Sequence, residues 1–196
     1  MRKTILTVAA LTLVWIGYVA WPLYDLYQLA RAVERRDAAA VTQHVDFGRL
    51  RASFTEQIVE AYLRKTGARV SPMLQGAAFS IADPLVEKFI SPEALAEFLR
   101  MGWPVAALPD RPHDSVGLSV EALGSVWQIF AASDYGLGRF EVTVPVKFPP
   151  ERAFMLSFRL AQWRWRLSRV ALPEHIRALL ADEIIKATRP PQPHPE

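Results

Sequence analysis

The sequence predicts an α+β protein with an N-terminal transmembrane helix, helices packed on an antiparallel sheet, and a C-terminal helix. Three observations predict it. An uncharged apolar run fills residues 4–24. Apolar residues then recur with a helical period up to Gly102. Beyond residue 125 the period falls to two. Helices gathered first and antiparallel strands second are the α+β arrangement.

The first element is "MRKTILTVAALTLVWIGYVAWPLY". About 20 apolar residues cross a bilayer in helical form. Trp15, Tyr18, Trp21 and Tyr24 crowd the far end like the aromatic belt of a membrane interface. Arg2 and Lys3 precede the run and should stay cytoplasmic, which places the body outside the cytoplasm. The rival is a signal peptide cleaved after Ala20, but cleavage wants small residues and Tyr18 is bulky. The expectation is an uncleaved signal-anchor over 1–24, attached to the membrane through residues 4–24.

The 196 residues suit one domain plus an appendage, and a hydrophobic share of 51% can build a core. The net charge is +3, and setting aside Arg2 and Lys3 leaves the body close to neutral. That excludes the dense basic footprint of a nucleic-acid binder. The absence of cysteine excludes disulfides, thiolate metal sites and cysteine nucleophiles.

Along the body, Leu26, Leu29, Ala30 and Val33 share one helix face. Asp37 should cap a short helix "AAAVTQHV", with Val41 and Val45 buried. Leu50 and Phe54 should pack below it. Ser53 and Glu56 read as the capping box of a third helix that closes at Gly67. Ser71-Pro72 opens a fourth segment, interrupted at Asp83-Pro84. Ser91-Pro92 starts a fifth helix that ends at Gly102. Residues 103–125 read as loop.

The strands follow. "VWQIF" (126–130) reads as the first. "RFEVTVPVKF" (139–148) alternates Phe140, Val142, Val144, Val146 and Phe148 with polar residues, and Pro145 suggests an edge or a bulge. "AFMLSFRL" and "WRWRLSRVAL" form a hairpin about Ala161-Gln162. Residues 173–187 make an amphipathic helix with Ile176, Leu179, Leu180 and Ile184 on one face. "TRPPQPHPE" is a tail. The domain division is therefore 1–24, 25–172, 173–188 and 189–196.

The helix–Arg-Asp–helix start and the late hairpin ending in "WRWRLSRVALP" resemble the cone-shaped α+β fold of the nuclear-transport-factor-like and SnoaL-like superfamily. The fuller pattern is "LYQLARAVERRDAAAVTQHVDFGRLRASF", "VEKFISPEALAEFL", "RFEVTV" and "WRLSRVALP". It is similar to a bacterial membrane-anchored family of unknown function (DUF2939-like). The resemblance covers roughly residues 23–173 and implies a curved sheet able to enclose a pocket, on the periplasmic side of a bacterial inner membrane. Superfamily members often carry Gly in the last hairpin turn, where this chain has Ala161-Gln162.

The candidate chemistry is sparse. His44, His113, His175 and His194 show no metal-ligand spacing, so no metal or other cofactor is expected. Enzymes of the cone fold can hold a carboxylate and a tyrosine in the pocket, and Asp46, Asp83, Asp134 and Tyr135 are the available groups. Each also reads as a cap or turn residue, so no catalytic residue is assigned and the ligand-binding residues stay unknown. Arg159, Arg164, Arg166 and Arg169 should form a solvated row opposite a core-facing Trp163, Trp165 and Leu167. The expected function is non-catalytic binding of an apolar small molecule, lipid or envelope partner, with no nucleic acid. A pocket enzyme, or a complex subunit that docks through helix 173–187, is the alternative.

Overall fold

A single helix, α1 (Arg2–Glu34), runs from the N-terminus into the folded body without a break at residue 24. The computed structural model describes residues 2–66, 86–87, 90–105, 108, 110, 112, 115–145 and 153–188. Residues 2–17 of α1 are exposed, and from Tyr18 onward one side meets the body. Leu26, Leu29, Ala30 and Val33 are buried, as their spacing predicts.

The chain reverses at Arg36, whose φ is 56°. Asp37 then caps α2 (Ala38–His44), its Oδ1 accepting the Ala40 N–H at 2.9 Å. Val41 and Val45 are buried as expected. α3 (Phe47–Thr66) starts earlier than the Ser53 capping box predicts. Asp46 caps it instead, accepting the Arg49 N–H at 3.1 Å. Ser53 is buried inside the helix and its Oγ accepts from Gln57 Nε2. A Ser-x-x-Glu pattern satisfies free N–H groups only where the helix begins, and the earlier Asp46 takes that role.

The fourth segment, with Asp83-Pro84, lies mostly outside the described residues; its Val86 and Ile90 are buried. α4 (Pro92–Met101) has the expected ends. Ser91 Oγ accepts the Ala94 N–H, and Gly102 closes the helix at φ 64°. Within 103–125 a short α5 (Val120–Leu123) forms behind Ser119, and the Val120 N–H donates to Glu34 Oε1 at 2.7 Å.

Residues 126–130 are helical and not a strand: α6 spans Val126–Ala131. Ser125 and Gln128 form a reciprocal capping box there. A five-residue segment with four apolar residues fits either period, and the cap decides it. The sheet begins instead with β1 (Ser133–Gly136) and continues through β2 (Arg139–Val144), β3 (Phe154–Ala161) and β4 (Arg164–Ala171). It is an antiparallel meander in the order β1-β2-β3-β4. Phe140, Val142 and Val144 are buried, and Pro145 falls just past β2. Val146 and Phe148 lie outside the described residues.

The β3–β4 turn is Gln162-Trp163, one residue later than Ala161-Gln162. Both residues have positive φ. Trp163 is therefore an exposed turn residue, while Trp165 is buried. A β-bulge at Ser157/Phe158 shifts the register of β3 on β4.

α7 (Glu174–Thr188) lies against α3 through Ile176, Leu180 and Ala181. Leu179 is exposed on its flank, contrary to the expected face. Lys65 pairs with Asp182 at 2.5 Å and Arg64 with Glu174 at 3.5 Å. The Trp103 ring stacks on His175. Residues 189–196 lie outside the described residues.

Candidate functional site

Strand alternation sends Phe140 and Val142 into the core, so Arg139 and Glu141 take the opposite face of β2. Beside them on β3 stand Ser157 and Arg159, and on β4 Ser168 and Arg169. α3 crosses this face with Arg49, Ala52, Ser53 and Glu56, which fall at helical spacing on one side. Together they line a cleft of about 520 Å³.

Its charges are unevenly matched. Arg139 pairs with Glu141 at 3.5 Å, and Arg49 with Asp46 at 3.2 Å. The Ser157 hydroxyl donates to Glu141 Oε1 at 2.8 Å. Ser168 donates to the Ser157 carbonyl at 3.1 Å. Arg159 and Arg169 have no acidic partner among the described residues. Arg159 also lies directly opposite Arg139 in the register. Like charges in that position repel, and an anion set between them would relieve it.

Among the described residues, one small gap lies in the apolar interior. The gap bounded by Phe98, Leu118, Val144, Phe154 and Leu156 measures about 10 Å³. That is about the size needed to hold one water.

The sequence-derived candidates among the described residues do not converge. Asp46 is the α3 cap. Asp134 and Tyr135 are adjacent in β1 rather than in a loop. Neighbouring strand residues point to opposite faces, so the exposed Asp134 cannot work beside Tyr135. Tyr135 packs between Phe130 and Phe140. Burial raises the pKa of its phenol, with the Ser133 hydroxyl opposing. Asp83, His113 and His194 lie outside the described residues.

His44 is half-buried in α2, with its Nδ1 3.9 Å from Asp25 Oδ1. His175 is exposed on α7. Among the described residues no three His, Asp or Glu side chains are grouped to hold a metal ion.

Of the anticipated arginine row, Arg159 and Arg169 line the cleft, while Arg164 is exposed and Arg166 half-buried elsewhere on β4. Sequence reasoning missed Arg49 and Arg139. The signal for Arg139 was the alternation of "RFEVTV". The signal for Arg49 was its position one turn before Ser53.

The architecture defines an α+β domain continuous with an N-terminal helix long and apolar enough to cross a membrane. Residues 11–98 match the model of a family described as a protein of unknown function (DUF2939), the family to which residues 23–173 are read as similar. No curated protein and no solved structure matches the chain.

Proposed function

We propose that the chain is a membrane-anchored domain on the periplasmic side of a bacterial inner membrane. In this reading it binds an anionic group, a carboxylate or a phosphate, without chemistry of its own. The observation that carries it is the cleft in which Arg159 and Arg169 lack acidic partners among the described residues, beside the buried Ser53, Ser157 and Ser168. The arginines of this cleft favour a charged ligand over the apolar one expected from the sequence. The anchor reading draws support from Tyr18, whose hydroxyl accepts the Gly138 N–H and donates to the Gly136 carbonyl. Cleavage after Ala20 would discard that contact. A free docking role for residues 173–187 is not favoured, because α7 buries Ile176, Leu180 and Ala181.

The test is thermal unfolding of the full chain in lipid nanodiscs with inorganic phosphate or citrate, at fixed ionic strength. A bound anion raises Tm with concentration, by linkage. The rise should vanish in the Arg159→Gln/Arg169→Gln double variant. No rise, or an equal rise in the variant, overturns the proposal.

A further inference from the structure

We infer that the tips of both β-hairpins are seated in the interface of the membrane that α1 crosses. The inference rests on the reading of α1 as a membrane span.

The contacts come first. The β1–β2 turn is Leu137-Gly138, and the polar groups on either side of Leu137 are both bonded to Tyr18. Gly136 O lies 3.1 Å and Gly138 N 3.0 Å from the Tyr18 hydroxyl. The β3–β4 turn places Trp163 in a stack on Trp21, with ring centroids 6.3 Å apart. The Tyr18 ring also meets Trp165 edge-on at 6.2 Å. Both turns therefore lie against one short stretch of α1, residues 18–21.

The length of the helix then fixes the level of that stretch. A hydrocarbon core of ~30 Å takes about 20 helical residues at ~1.5 Å each. The uncharged part of α1 begins at Thr4. Residues 4–17 are clear of the body but supply only about 21 Å. A full crossing that starts at Thr4 must run on to about Leu23. Tyr18 and Trp21 then fall within its last turns, and the turns that touch them cannot stand clear of the lipid.

The chemistry of the tips agrees. Leu137 is fully exposed and Trp163 is 79% exposed, and both turns lie beside residues 18–21 of α1. Each is followed within two residues by an exposed arginine, Arg139 and Arg164. An apolar or indole group below and a guanidinium at phosphate level is the pattern of an interfacial anchor. Such seating would hold the domain against the membrane at a fixed tilt.

The chain has no cysteine, so single-cysteine variants carry one label each. Nitroxides at Leu137→Cys, Trp163→Cys, Leu13→Cys and Arg35→Cys are compared in the full chain. The bilayers are phosphatidylethanolamine/phosphatidylglycerol vesicles, and the probes are oxygen and a water-soluble nickel chelate. Position 13 reports the span and position 35 the aqueous body. The expected result is an oxygen-to-chelate ratio at 137 and 163 several-fold above that at 35, approaching that at 13. A ratio at either tip equal to that at 35, with 13 in lipid, overturns this inference and leaves the span intact. An aqueous label at 13 overturns the span, and this inference with it. Leu137 is an exposed turn residue, so its replacement leaves the fold intact and decides the question even where Trp163→Cys perturbs the turn.

Discussion

The side-chain amide of Gln57 donates to the carbonyl of Val170 at 2.9 Å, and its oxygen accepts the Leu172 N–H at 2.9 Å. Gln57 thereby acts as a short piece of strand along the outer edge of β4. The same edge is served by Asp25, which accepts the Trp165 N–H at 3.2 Å. It is served again at Asp46, whose N–H donates to the Leu167 carbonyl at 2.9 Å. An edge strand would otherwise offer unpaired groups to any passing chain. Gln57 is buried, so loss of its amide strands two backbone groups. Gln57→Ala should cost about 1–3 kcal/mol in chemical denaturation. Gln57→Glu should cost at least as much, because a carboxylate cannot donate to Val170. A cost near zero for both would show that water fills the role.

His44 sets a pH dependence whose sign follows from its surroundings. Burial lowers its pKa most, Asp25 raises it, and Arg164 lowers it further, for a net decrease. At 3.9 Å the Asp25 contact is too long for a hydrogen bond, and with the pKa lowered the imidazole is neutral at pH 7. Distance alone would make this an ion pair; the protonation state says otherwise. The unfolded chain takes up the proton near pH 6.5 while the folded chain resists it. Stability should therefore fall as pH drops below about 6.5, level off below the folded pKa, and be untouched above the window. Tm against pH for the wild type and His44→Gln checks this: the variant should lack that step. Superimposable curves would reject it.

Much of this fold was legible because caps and periods are local. Asp37, Ser91 and Gly102 sit where their chemistry requires, and "RFEVTV" buries alternate residues as written. The misreadings share a cause. Ser53 and residues 126–130 each fit two local patterns, and the choice depended on which cap came first. The β3–β4 turn reads one residue early in the sequence, at Ala161-Gln162, because Gln162-Trp163 carries neither Gly nor Asn to mark it. The cleft was less legible, since it joins α3 to three strands more than 80 positions away. A spacing rule covers one element at a time. Only the tertiary crossing shows that Arg49 and Arg169 share a space.

Gly117 is required by a close approach rather than by its φ. A Cβ there would lie 2.0 Å from the Arg100 carbonyl oxygen, against backbone that cannot swing aside. At this point the Leu118 N–H donates to the Leu99 carbonyl at 2.6 Å, fastening the loop to the end of α4. Gly117→Ala should cost about 1–3 kcal/mol through forced displacement. Gly48, near the start of α3, meets only Asp46 Oδ1 at 3.7 Å. Gly48→Ala should stabilise by about 0.4–1 kcal/mol through the unfolded state. Denaturation midpoints that move together for both variants would contradict this.

The β3–β4 turn sets local stability against membrane seating. Gln162 and Trp163 both adopt left-handed φ, at 52° and 61°. For residues with a Cβ this costs roughly 1–2 kcal/mol each. Asn-Gly is the pair such a two-residue turn prefers. Replacement also removes the Trp21–Trp163 stack, worth about 0.5–1.5 kcal/mol. The relief exceeds the loss, so Gln162→Asn/Trp163→Gly should stabilise the domain on the order of 1 kcal/mol in detergent. The same change deletes the indole held at the membrane interface. In bilayers the nitroxide at Leu137→Cys should then become more accessible to the nickel chelate, as the domain loosens from the surface. A gain in stability with unchanged depth at 137 would show that the two hairpins seat independently. A loss of stability in detergent would show that the stack outweighs the backbone strain.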